Sequence, residues 1–417
     1  MQIFHTADWH LGQLFHGHDR DFEHANFLDW LTEQLESHRP DALLIAGDIF
    51  DTINPPATAQ KRFYSFLAKV QSVLPALQIV ITAGNHDAGS RLEAPASLLE
   101  SLRIHVVGTV RQSDDGQIDL DRLIVPLQGA DHTITALVLA VPFLRPADVP
   151  HLPEADDPYL DGIHELYRQV TERALFLRDQ RAPGVPLIAL GHCHLTGGEE
   201  SPDSERRIVI GNAEAVSLST FPDSLAYVAL GHLHKAQQFQ QGRIRYSGSP
   251  IPLSFAERHY QHRVMQLFFA EGQLQSAQSL LVPASVELVT IPRRGAAPID
   301  ELIAELNQLP PAPDLPPERY PFLEVSVLED GPDPTRNKRI QDAVKNKPVR
   351  LTTIRKVQQQ SSAISEPSVS SEPSASLQSV NPASVFTDYW RQKYQTEPDP
   401  DILQALQEIL LQEGVLS

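Results

Sequence analysis

The stretch Ala42-Leu-Leu-Ile-Ala-Gly-Asp-Ile-Phe-Asp51 decides the fold. Ala42–Ala46 has the length and apolar character of a buried strand, and Gly47-Asp48 then turns the chain and presents a carboxylate. The same arrangement recurs four more times. Ile3–Phe4 precedes Asp8-Trp-His10, and Ile79–Ala83 precedes Gly84-Asn85-His86-Asp87. Leu187–Leu190 precedes Gly191-His192-Cys193-His194, and Tyr227–Leu230 precedes Gly231-His232-Leu-His234. In open α/β sheets functional groups gather where strands end. Five strands ending this way bring Asp, Asn and His to one rim.

Outward from these motifs, Ile104–Val107 and Ala136–Phe143 read as further strands, and two stretches read as helices. Asp19–Glu36 places Phe22, Ala25, Leu28, Leu31 and Leu35 on one stripe, and Ala57–Val70 is the second. Strand and helix in alternation predict an α/β sandwich with helices outside a sheet. From Val286 the pattern restarts: a strand at Val286–Ile291, a helix at Ile299–Leu309 and a strand at Phe322–Val327. A helix opened by Pro334-Thr335 runs to about Lys345, and a last strand covers Val349–Lys356. This is a small separate α/β unit. Residues 358–384 begin with three glutamines, and ten serines follow in 24 positions, with Ser-Glu-Pro-Ser at 365–368 and again at 371–374. Such a composition cannot bury enough apolar surface to offset chain entropy, so it reads as a flexible linker. Beyond it, Asp399-Pro400 followed by Ile402, Leu403, Leu406, Ile409 and Leu410 predicts an amphipathic helix. One such helix is too short to fold alone, and needs either its own protein's surface or a partner's. The expected domains are therefore 1–284, 285–357, the linker 358–384 and a helical segment 385–417.

Length and charge bound the function. A chain of 417 residues suggests two or three domains. Lys plus Arg is 34 against 53 for Asp plus Glu, a net −19, which argues against a surface that grips nucleic acid everywhere through positive charge. Metal ions can supply positive charge locally. Cys193 is the one cysteine, so neither an internal disulfide nor a cysteine-rich zinc module is possible. No apolar run approaches the ~20 residues of a membrane helix, and Met1-Gln-Ile-Phe-His-Thr lacks the features of a secretory leader. The expectation is a cytoplasmic protein that does not enter the membrane. The eight basic residues between Arg336 and Lys356, against the single acid Asp342, are either a phosphate-binding stripe or a solvated helix face.

Oxygen from Asp and Asn with nitrogen from His suits Mn²⁺, Fe²⁺ or Zn²⁺ better than Ca²⁺. The inventory is large enough for two ions sharing a carboxylate, an arrangement that can stabilise both the attacking and the leaving oxygen of a phosphoester displacement. Any one motif alone has a bland reading: Gly-Asn-His-Asp can be a hairpin turn, and Gly-His-x-His a structural pair. All five in this order are a metal site.

The set resembles the calcineurin-like metallophosphoesterase superfamily. Asp-Trp-His-Leu-Gly at 8–12, Gly-Asp-Ile-Phe-Asp-Thr at 47–52, Gly-Asn-His-Asp at 84–87, Ala-Leu-Gly-His-Leu-His at 229–234 and Ser-Gly-Ser-Pro-Ile-Pro-Leu-Ser-Phe at 247–255 are similar to its SbcD family of bacterial nuclease subunits. The resemblance implies a metallophosphoesterase β-sandwich flanked by helices, a small α/β capping domain and a tethered C-terminal helical segment. It implies that Asp8, His10, Asp48 and His234 hold one ion and that Asp48, Asn85, His192 and His232 hold the other, with Mn²⁺ the usual metal. His86 is then the histidine that assists the leaving oxygen, and Asp87 can orient it. Asp51 either orients a ligand histidine or serves a surface turn. At Gly191-His192-Cys193-His194 either histidine can be the ligand. His192 is the first side chain past the strand, and its spacing to Gly197-Gly198 favours it by family likeness. Cys193 is expected to pack rather than ligate, and His16 and His18 to be solvated. The family acts on duplex DNA ends from 3′ to 5′ and on single strands and hairpins, beside an SbcC-type coiled-coil ATPase. The resemblance implies a homodimer within a heterotetramer, with the C-terminal helix docking on the coiled coil. Phosphatases share the ligands, but those acting on proteins usually carry Arg after the second and third motifs, where this chain has Thr52 and Ala88.

Overall fold

The motif-bearing runs become strands of two different sheets that lie face to face. A computed structural model describes residues 1–358 except 114–116, 153, 203–214, 312–314, 330 and 332. All belong to the first of the two units into which the chain divides, Met1–Gln359. The expected linker, beyond Gln358, and the expected helical segment 385–417 lie outside the described residues.

The first sheet has the order Gln273–Leu281, Arg263–Ala270, Gln2–Thr6, Ala42–Ala46, Gln78–Thr82, Ile104–Val107. Its last four strands are parallel, and the helices Asp21–His38 and Ala57–Val73 are crossovers between them. The second sheet has the order Gln237–Phe239, Ile244–Tyr246, Tyr227–Gly231, Leu187–His192, Ile134–Ala140, Ile124–Gln128. Successive side chains alternate in direction along a strand. Ile3, Ala42, Leu44 and Val80 pack in the core shared with the second sheet, while Phe4, Leu43, Ile45 and Ile81 pack with Phe27, Leu31, Phe63 and Phe66 of the two helices. Both faces of the strands Gln2–Thr6, Ala42–Ala46 and Gln78–Thr82 are buried, which explains their unbroken apolar runs.

The longest described helix, Pro158–Arg181, is not among the elements expected from the sequence. Its signals are Pro158 in the first turn and the Asp157 side chain, which accepts from the backbone N–H of Tyr159 and Leu160. It places Ile163, Leu166, Tyr167, Val170 and Ala174 in the core with the second sheet. The run expected as a strand through Phe143 ends at Ala140, and the Phe143 N–H instead donates to Ala83 O beside the site at 2.8 Å.

The small unit has three parallel strands, Leu288–Ile291, Phe322–Glu329 and Arg350–Gln358. Helices Ile299–Asn307 and Arg336–Val344 cover one face through Leu302, Leu306, Ile340 and Val344. The last strand runs to Gln358, one residue past the expected end of this unit. It meets the larger unit through Phe15, Phe255, Val286 and Phe322. The Phe322 ring lies 4.7 Å from Phe15, with the Arg350 guanidinium 3.7 Å over it. Arg20, fully buried, stands over both rings and donates to Glu23, to Gln13 Oε1 and to the Pro252 carbonyl. Most of the basic stripe is used internally. Arg336 holds the Gly331 carbonyl, Arg339 pairs with Asp300, Lys347 holds the Asn307 carbonyl, and Arg355 pairs with Glu324. Lys338, Lys345 and Lys356 are exposed. Among the described residues no helix is long and apolar enough to cross a membrane.

Trp9 shows how the core supports the site. It is fully buried between two expected ligands, edge-on to Phe27, Phe63 and Phe66, and its Nε1–H donates to Thr6 Oγ1 at 2.9 Å. Trp9→Ala is expected to cost about 3–5 kcal/mol, read as a lower urea midpoint at unchanged slope.

Candidate metal centre

The site forms where the strands stop. Four of the seven expected ligands have left-handed backbone: Asp8 (φ 56°), His10 (47°), Asp48 (49°) and His232 (103°). Non-glycine residues avoid this region, at a cost of about 1–3 kcal/mol each. The surrounding loops hold them there. Asp8 N–H donates to Gly47 O, His10 N–H to Asp48 O and Leu11 N–H to Ile49 O, so two motif loops run side by side as a short ladder. Close approach also explains two glycines. A Cβ on Gly84 would overlap Asp48, and one on Gly231 would overlap the Ala46 carbonyl of the opposite sheet.

Asp48 lies at the centre. Its Oδ1 accepts the His86 N–H at 2.8 Å. Its Oδ2 is 3.5 Å from His10 Nε2 and 3.3 Å from His192 Nε2. Asp8 Oδ1 accepts the His232 N–H at 2.9 Å, joining the first strand to the second sheet. Asn85 Oδ1 is 2.9 Å from His192 Nε2 and 3.2 Å from His232 Nδ1. Three overlapping groups have ligand atoms all within 4.8 Å of one another: Asp8, His10 and His234; His10, Asp48 and His86; and Asp8, Asp48 and His192. All seven expected ligands and His86 therefore meet in one place.

The residues fit divalent ions. Asp8 Oδ2 and His10 Nε2 are buried with no hydrogen-bond partner, a state that buried polar atoms avoid unless something else binds them. The histidines are also held from behind. His192 Nδ1–H donates to Ala46 O at 2.9 Å, His10 Nδ1 faces Asp51 Oδ1 at 3.2 Å, and His234 Nδ1 faces Glu257 Oε1 at 3.0 Å. Each contact fixes a tautomer whose Nε2 lone pair is left for a ligand role.

Electrostatics point the same way. Burial holds His10 below the usual imidazole range and His232 well below it, so both rings are neutral donors of lone pairs. Burial pushes the Asp8 carboxyl up to about 7. Burial would also raise Asp48, but the His192 charge beside it outweighs this and holds it well below the usual carboxylate range. Burial opposes charge on His192 as well, yet the Asp48 carboxylate raises it to about 9. Two buried carboxylates among five histidines thus form a strained set when no cation is present.

Of the two candidate histidines the structure brings His192 to Asp48, whereas His194 Nδ1 faces Glu200 at 3.6 Å. Asp51 takes the orienting role, through its carboxylate to His10 and through its carbonyl to His86 Nδ1 at 2.7 Å. The expected orienting role of Asp87 on His86 is corrected. Its carboxylate accepts the backbone N–H groups of Gly84, Ile49 and Phe50 at 2.9, 3.1 and 3.0 Å, so it ties two motif loops together instead. Cys193 stays a packing residue: burial pushes its thiol up to about 12, and its carbonyl accepts from Tyr246 Oη. His16 is exposed, as expected, and its Nδ1 lies 3.1 Å from Thr353 Oγ1 of the small unit. Glu257, fully buried behind His234, is absent from the expected site because no spacing relates it to the Gly-His-x-His motif.

Comparison with known proteins agrees with this geometry. Residues 1–236 match the calcineurin-like phosphoesterase family, and residues 285–394 match the Type 5 capsule protein repressor C-terminal domain. The chain is 42% identical over 356 residues to the SbcD component of the SbcCD nuclease from Rhodobacter capsulatus, covering 84% of this chain and 86% of that one. It is 32% identical over 367 residues to the same component from Escherichia coli, covering 86% of each. For the Bacillus subtilis protein of that name the identity is 34% over 299 residues, 69% of this chain and 71% of that one. The chain belongs to the calcineurin-like phosphoesterase family and, within it, to the SbcD family of SbcCD nuclease components.

Proposed function

We propose that this chain is a metal-dependent DNA nuclease that hydrolyses backbone phosphodiesters as the catalytic component beside an SbcC-type ATPase. The observation that carries the reading is the single Asp48 oxygen between His10 and His192, with a further histidine and carboxylate on the first side and Asn85 on the second. Asp8, His10, Asp48 and His234 hold one divalent ion, and Asp48, Asn85, His192 and His232 hold the other. When bound, the ions lower the pKa of a water and neutralise charge on the scissile phosphate. The chain's own groups do the rest. His86, with Nδ1 held on the Asp51 carbonyl, presents Nε2 to the leaving oxygen and gives it a proton or stabilises its charge. Asp87 and Asp51 keep the loops in place for that step.

The finer assignments are part of the same reading. Mn²⁺ is the working metal, cleavage runs 3′ to 5′ on duplex ends with endonuclease action on single strands and hairpins, and the protein acts in the cytoplasm in DNA repair and recombination. Residues 1–284 are the nuclease domain and 285–357 the capping domain. The linker 358–384 tethers the segment 385–417 that docks on the ATPase. Two copies pair within a heterotetramer.

With Mn²⁺ and linear duplex DNA, His86→Leu is expected to lower turnover about 100- to 10,000-fold with bound metal unchanged. Equal activity in variant and wild type would remove His86 from the chemistry. Asp48→Asn and His192→Ala are expected to lose bound Mn²⁺ on metal analysis, whereas His194→Ala keeps it. Efficient release of phosphate from a chromogenic monoester, with DNA left intact, would favour a phosphatase instead.

A further inference from the structure

The carboxylate behind His234 leads away from the site and towards the small unit. Glu257 is fully buried in the short turn Phe255–Glu257. Its Oε1 lies 3.0 Å from His234 Nδ1. Its Oε2 accepts the Leu253 N–H at 2.7 Å and lies 3.4 Å from Ser249 Oγ. The peptide that Glu257 grips by its N–H, Pro252–Leu253, is gripped on its carbonyl side by Arg20. Arg20 in turn stands over Phe15 and Phe322, and Phe322 carries Arg350 on its ring. Phe322 and Arg350 belong to the strands of the small unit. A continuous run of contacts therefore joins that unit to one histidine of the metal centre.

We propose that Glu257 is a positioning residue for His234 and that, through Arg20 and the Pro252–Leu253 peptide, it makes the affinity of the His234 ion depend on how the small unit is seated. This rests on the reading of His234 as a ligand. A carboxylate accepting from the far nitrogen of a ligand histidine fixes the ring and raises its basicity, and losing such a partner commonly weakens metal binding 10- to 100-fold. Phe322 acts from further away, by setting the plane on which Arg20 rests. Its effect is smaller and passes through the same carboxylate.

The test is Mn²⁺ titration of the full chain by calorimetry, using Glu257→Gln, Phe322→Leu and the double variant, with thermal unfolding in chelator as a control for the fold. Glu257→Gln is expected to weaken one of two ions by about 10- to 100-fold. Phe322→Leu should weaken the same ion several-fold, and the double variant should bind no worse than Glu257→Gln alone. Glu257→Asp, which keeps the charge, should recover part of the loss. Wild-type affinity in either single variant overturns the proposal, as does full additivity in the double variant. If the wild-type chain takes up no ions at all, the ligand reading fails instead, and the two failures are told apart.

Discussion

One carboxylate oxygen governs this structure. Asp48 Oδ2 must reach His10, on a loop of its own sheet, and His192, at the end of a strand in the other sheet. Both sheets therefore have to end at the same height, with almost no space between their tips. The consequences are visible in the backbone. Gly231 has no room for a side chain against Ala46, and Asp8, His10, Asp48 and His232 accept left-handed conformations. Strain of this kind persists only where the surroundings over-determine it. Here the surroundings are the ladder between the motif loops, the three N–H groups taken by Asp87, and the aromatic packing around Trp9.

The acidic composition and a polyanionic substrate are compatible for the same reason. A chain of net charge −19 has little general attraction for DNA. Its site, however, concentrates imidazoles and buried carboxylates, a donor set that suits divalent cations. Positive potential then arises where phosphate must sit. The small unit adds less than its sequence suggests, because Arg336, Arg339 and Arg355 are engaged within it.

What is legible in the sequence follows from how local each signal is. The strand-then-ligand pattern is local, so the motif runs and six of the seven expected ligands can be read directly. The choice of His192 over His194 is readable only in part, since it depends on where Asp48 arrives from the other sheet. The hairpin Arg263–Ala270 to Gln273–Leu281 escapes the sequence reading, although Glu271-Gly272 has positive φ at both residues, as its two-residue turn requires. Its second strand does not alternate, its apolar residues falling at Leu274, Ala277, Leu280 and Leu281, so it gives no strong period. The helix Pro158–Arg181 escapes it too, despite a capping Asp and a first-turn proline. Glu257, and the true role of Asp87, lie beyond reach because each depends on a partner far away in the chain or on backbone N–H groups that a sequence does not display.

The strand Gln2–Thr6 pairs on one side with Ala42–Ala46 and on the other with Arg263–Ala270. Its second neighbour thus lies far along the chain, and the late motif at His232 and His234 is nearly as distant from Asp8. On a ribosome adding about 5–20 residues per second, the interval between Asp48 and His234 is on the order of ten to forty seconds. Throughout that time the nascent chain carries a sheet with one open edge and carboxylates whose set of histidines is incomplete. The last of the expected ligands, His234, is thus made only after more than half of the 417 residues, and a polypeptide shorter than this lacks the full set.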